Sequence, residues 1–173
     1  MNHETNLRLL IEDALKELDE SFGIYDSGRV ISGNKIPSYK DVRDREDPLR
    51  LTQRVLIYPM MSYLGYSRLF SGDVLEGRIP GTSLATVSMN SVLSSASTRM
   101  MLAMNADSAP KGIATDGFRW ILAKRVDDMI RVTSMSDLRP YYVEILDRNR
   151  FRVAEMQDDT DLLEFVDMFS NNG

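Results

Sequence analysis

Cysteine is absent from the 173 residues, so neither a disulfide framework nor a thiolate metal site is available to this chain. Histidine occurs once, as His3, at an end expected to fray. That scarcity argues against a Ser–His–Asp triad, a histidine general base and a histidine-rich metal centre. Walker-type phosphate loops and paired-glycine dinucleotide turns are missing too. No apolar run approaches the roughly 20 residues that span a bilayer. Glu4, Glu12, Asp13 and Glu17 interrupt the apolar pattern that a signal peptide requires. The expectation is a cytoplasmic protein with no membrane partner. One further deficit is local: from Gly77 to Ala106 there is no Asp, Glu, Lys or His.

What is present reads as one soluble domain over residues 1–173, large enough to bury a core without staples. The net charge of −5 is concentrated at one end. Glu155, Asp158, Asp159, Asp161, Glu164 and Asp167 follow Val153 with no Lys or Arg among them. The rest of the chain is close to neutral, so an acidic total excludes a nucleic-acid surface only weakly.

Leu7, Ile11, Ala14, Leu18 and Phe22 repeat at helical spacing, and Gly23 ends that helix. Residues 24–46 are irregular, and the expectation is a loop that wraps the core or hides a short strand at Arg29–Ser32. Asp47-Pro48 starts a second helix, Pro59 should kink it, and Gly65 closes it. Short extended pieces follow near Arg68–Phe70 and Asp73–Leu75, then a strand at Ser83–Ser88 and a helix from Val92 to Asn105. Gly112–Thr115 and Phe118–Lys124 flank Asp116-Gly117, a pair favoured in a type I′ hairpin. Asp127-Asp128 makes another turn before a strand at Met129–Thr133. Ser136 or Asp137 begins a helix through Leu138, Tyr142, Ile145 and Leu146, and Asp159 or Thr160 caps the last one.

Two stretches carry a resemblance. Gly112–Arg125, GIATDGFRWILAKR, resembles the hairpin that ends the core of the N-terminal nuclease-like domain of type I restriction enzyme R subunits and their small relatives, in the PD-(D/E)xK superfamily. Thr115, Asp116, Gly117, Phe118 and Trp120 match its turn and returning strand. Arg45–Tyr66 resembles the helix, ending in Leu-Gly-Tyr, that opens the same domain, with Glu46 at its acidic position. The resemblance covers residues 45–135. It implies an α/β (α+β) fold: a three-layer restriction-endonuclease-like core with a mixed sheet flanked by helices. Residues 1–46 would add a helix and wrapping loop, 47–135 the nuclease-like core, and 136–173 further helices with the acidic tail.

The catalytic part of that pattern does not match. Such nucleases hold Mg²⁺ on an Asp and a Glu of neighbouring strands, with a Lys two residues beyond the Glu. Here Gly81 stands in the aspartate position and Val87–Asn90 in the Glu-x-Lys position. The expectation is a catalytically inactive relative, with no metal and no cofactor, that binds DNA weakly, a protein partner or a second copy of itself. The alternative is a divergent Mg²⁺-dependent DNA endonuclease whose site has migrated to Glu46, Asp73 and Glu76, with Asp107 or Lys111 contributing.

Trp120 could stack on a base, but a lone Trp in a hairpin is more often core. Met100 and Met104 are read as core filling rather than a docking surface. The small face of Ser94, Ser95, Ser97 and Thr98 suits an internal contact ahead of a dimer seam. Arg148, Arg150 and Arg152 alternate around Phe151, and an extended conformation would put all three on one face. Arg43, Arg45, Arg50 and Arg54 form a second basic group. Both groups are nucleic-acid-binding candidates beside the plainer reading of solvated surface, and the acidic tail is a candidate to fold back over Arg148–Arg152.

Overall fold

Leu7, Ile11, Ala14, Leu15 and Leu18 are all buried, which fixes helix α1 (His3–Phe22) by one continuous apolar face. The computed structural model describes residues 3–22, 48–66, 76–79, 81–89, 91–151 and 158–171. The expected wrapping loop at 24–46 and the extended pieces at 68–70 and 73–75 lie outside the described residues.

Pro59 disturbs its helix in a particular way. Helix α2 (Pro48–Thr52) passes into a π-helical turn (Gln53–Ile57) and then into α3 (Tyr58–Tyr63). Proline lacks the N–H that a regular turn requires and crowds the carbonyl four residues back. The widened turn lies just upstream of it, with Tyr58 N–H donating to Gln53 O five residues back. Gly65, at φ +93°, then closes α3, because a left-handed residue there lets Tyr66 N–H reach Met61 O at 3.1 Å and Gly65 N–H reach Ser62 O at 3.1 Å.

Among the described residues five strands follow: β1 (Glu76–Ile79), β2 (Thr82–Thr86), β3 (Lys111–Thr115), β4 (Arg119–Val126) and β5 (Met129–Asp137). They form one mixed sheet in the order β1-β2-β3-β4-β5. Only β2 and β3 run parallel, joined by helix α4 (Leu93–Asp107); the other pairs are antiparallel. Helices α5 (Arg139–Phe151) and α6 (Thr160–Phe169) follow the sheet.

The two sheet faces differ in residue size, and this sets the layers. Leu84, Ile113, Trp120 and Leu122 point into a large core shared with α1, α2, α3, α5 and α6. Ala85, Ala114, Ile121 and Ala123 point the other way, against Leu93, Ala96, Met100 and Met104 of α4. Small residues on that side let the helix approach closely. A Cβ on Gly112 would collide with Met104 Sδ and lie 2.8 Å from Met100 Cγ. The result is the expected three-layer α/β core with a mixed sheet between helices.

The first turn of the meander departs from expectation, whereas Asp127-Asp128 forms the second as expected. Thr115 pairs with Trp120 and Asp116 N–H donates to Arg119 O, so the loop residues are Gly117 and Phe118, one position later than an Asp-Gly loop. Only Gly117 has positive φ there (+92°). The turn with positive φ at both central residues is instead Asp127-Asp128, at +50° and +62°. Strand β5 also runs on to Asp137, past the expected Thr133, with an irregularity opposite Leu122 and Ala123.

Candidate functional site

In open α/β sheets chemistry gathers beyond the carboxyl ends of parallel strands. Here those ends are Thr86 of β2 and Thr115 of β3, which are register partners. Gln53 reaches them from the π turn, Arg99 from α4, and Asp116 and Arg119 from the β3–β4 hairpin. Gln53 Nε2 donates to Thr86 Oγ1 at 2.8 Å, and Arg99 Nη2 donates to Thr86 O at 2.6 Å. Thr115 Oγ1 accepts from Gly117 N–H at 2.9 Å and donates to Arg119 O at 2.8 Å.

Asp116 is buried, and its oxygens are fully engaged. Oδ1 accepts from Phe118 N–H and Arg119 N–H at 2.9 and 2.7 Å; Oδ2 accepts from Arg119 Nε and Nη2 at 2.9 and 2.7 Å. A general base needs a lone pair free for substrate, whereas this carboxylate fixes the hairpin. Nearby, hydrogen bonds from Nε and Nη2 of the Arg139 guanidinium hold Asp137 below the usual carboxylate range, and Arg119 adds to the effect through its charge.

The positions that the resemblance assigns to metal ligands carry other work. Gly81 lies in the β1–β2 turn at φ +73°. Val87 follows β2 rather than lying within it, and its N–H donates to Thr115 O at 3.1 Å. Of the migrated set, Glu46 and Asp73 lie outside the described residues, and Glu76 opens β1 opposite Ala85. Among the described residues no three His, Asp or Glu side chains form a group that could hold a metal ion.

The described candidate arginines fall on two different helical segments. Arg50 and Arg54 are exposed on the α2–π segment, and Arg54 Nη1 pairs with Glu17 Oε1 at 3.2 Å. Arg148 and Arg150 belong to α5, so the extended, one-faced arrangement is not formed: helical residues two apart lie about 200° apart around the axis. Arg152 lies outside the described residues. Ser94, Ser95 and Thr98 face solvent instead of an internal contact, because Ala96, Met100 and Met104 are the residues that meet the sheet.

One cluster was not legible in the sequence. Lys111 of β3, Lys124 of β4 and Arg131 of β5 stand opposite one another across three strands. An Asp116-Gly117 loop would have put Leu122, not Lys124, opposite Lys111. The signal that would have found the row is the hairpin register itself. Comparisons with protein-family models, with curated proteins and with solved structures find no match to this chain.

Proposed function

We propose that this chain is a nuclease-like domain that holds a partner rather than cleaving one, a non-catalytic binding or assembly module working in the cytoplasm. The resemblance of Arg45–Tyr66 and Gly112–Arg125 supplies the nuclease-like part of the reading. The non-cleaving part is supported by one observation above all. Thr86, at the end of the strand where an acidic ligand would be needed, is tied by Gln53 at its hydroxyl and by Arg99 at its carbonyl. Those bonds join the π turn, the sheet and α4 into a strut and place no carboxylate there. No described helix is long and apolar enough to cross a membrane, which agrees with a partner met in water.

The test is incubation with labelled duplex and single-stranded DNA in Mg²⁺ or Mn²⁺, read on a denaturing gel beside a binding assay on the same samples. The expected result is retention of probe with no strand scission above the buffer control. Scission abolished by Asp73→Ala or Glu76→Ala would replace this reading with the Mg²⁺-dependent endonuclease.

A further inference from the structure

Cross-strand ladder pairs place side chains on a common sheet face. Lys111 pairs with Lys124, and Lys124 pairs with Arg131, so the three cations lie in line on the face that carries Ile113 and Leu122. Neighbouring strands are about 4.8 Å apart, which gives the row a span of roughly 10 Å. Like charges directly opposite one another are destabilising, and nothing described in the chain offsets these. Among the described residues none of the three forms an ion pair; Asp127 and Asp128, at the turn joining β4 to β5, form none either.

The inner end of the row is anchored. Lys111 Nζ sits 4.8 Å from the centre of the Tyr66 ring, and that buried ring is fixed by its hydroxyl donating to Phe169 O at 2.8 Å. Burial, and then the charge of Lys124, lower the Lys111 pKa; no carboxylate of the described residues counters the shift. The outer end, Arg131, is exposed on the last strand of the described sheet. A buttressed line of cations with no counterion among the described residues has an unmet demand for anions.

We propose that Lys111, Lys124 and Arg131 form a phosphodiester-binding row that engages the backbone of a nucleic-acid strand. The row is linear and opens at the sheet edge, so successive cations face successive backbone oxygens, whereas one small phosphate would reach only two neighbours. Contacts of this kind position a strand without reading its sequence. The proposal rests on the binding reading above and names its partner. It uses none of Arg50, Arg54, Arg148, Arg150 or Arg152.

The experiment is fluorescence anisotropy of the full chain with a labelled DNA duplex in EDTA, across a salt series. Three phosphate contacts predict a loss of roughly forty-fold in affinity between about 50 and 200 mM salt. Lys124→Gln and Arg131→Gln should each bind several-fold more weakly and each lower the slope of log affinity against log salt by about one. Lys124→Gln also removes both like-charge pairs, so its melting temperature should match or exceed wild type, which separates lost binding from lost structure. Wild-type binding that both variants retain at full affinity and slope overturns the row while leaving the binding reading in place. No wild-type binding at the lowest salt overturns the row as well. Displacement of the duplex by inorganic phosphate at equal phosphate content overturns the nucleic-acid assignment in favour of a small anion. Scission on adding Mg²⁺ would overturn the non-catalytic reading alone.

Discussion

The Trp120 ring meets the Phe165 ring edge-on, with centroids 5.2 Å apart. Phe169 extends the group, 4.9 Å from Phe165 and 6.2 Å from Trp120. The acidic tail is therefore half core: Leu162, Phe165 and Phe169 are buried, while Asp161, Glu164 and Asp167 face water. Its attachment is reinforced at Asp159, which accepts from Tyr141 Oη at 2.8 Å and from Arg8 Nη1 at 3.2 Å. Removing Asp158–Gly173 is thus expected to unfold the chain rather than unmask arginines. Phe165→Ala should cost about 3–5 kcal/mol in urea melts. Asp161→Asn and Glu164→Gln should stay within about 0.5 kcal/mol. A truncated chain with native near-ultraviolet circular dichroism would contradict this role.

Gly112 is where α4 touches the sheet, and the limit there is space rather than backbone angle. An added methyl meets Met104 Sδ and Met100 Cγ together, and both side chains are fully buried. Gly112→Ala should destabilise by about 1–3 kcal/mol through overpacking. Combining it with Met104→Ala should recover part of the loss, because one change vacates what the other fills. Additive penalties in that double-mutant cycle would show that the close approach is unimportant.

The strut at Thr86 predicts an asymmetry. Gln53→Ala removes the donor to a buried hydroxyl and should cost about 1–3 kcal/mol. Pairing Gln53→Leu with Thr86→Val removes both partners and should cost less than Gln53→Ala alone. Chemical denaturation of the single and double variants measures this directly. A double variant as damaged as the single would mean that the bond matters little beside the packing of the two side chains.

The helices were legible because their apolar residues recur at a period that solvent enforces. Leu7 to Leu18 and Met100 with Met104 lie where that logic puts them, and Trp120 is core as its place in a hairpin suggested. Turn register was not, since it depends on which backbone groups a short side chain captures. Asp116 is better used as a buried cap for Phe118 and Arg119 than as a loop residue, so the hairpin advances by one. The same limit hid the cationic row, whose members are 13 and 7 residues apart along the chain and meet only through register. The extended conformation expected for the arginines after Ile145 was wrong for a different reason. Their alternation suits a strand, but the helical period of Leu138, Tyr142 and Ile145 carries the backbone through Phe151.

Three buried tyrosines set the alkaline limit. Tyr142 Oη donates to Gly117 O at 2.9 Å, Tyr66 Oη to Phe169 O at 2.8 Å, and Tyr141 Oη to Asp159. Burial is the leading cause that raises all three pKa values; the Asp159 hydrogen bond adds to it at Tyr141, and the Asp116 charge at Tyr142. In the unfolded chain each phenol ionises near pH 10, whereas in the folded chain it stays protonated. The folded state therefore holds more protons above about pH 10, and stability falls as pH rises further, by up to about 1.4 kcal/mol per pH unit for each tyrosine. Below about pH 10 this contribution is fully present. Urea melts across that range should show a plateau and then a steep decline. Tyr142→Phe should lower the plateau by about 1–3 kcal/mol, because Gly117 O loses its donor, and should make the decline shallower by one tyrosine. Phenolate absorbance rising in the still-folded protein with a midpoint near pH 10 for all its tyrosines would remove the basis for this limit.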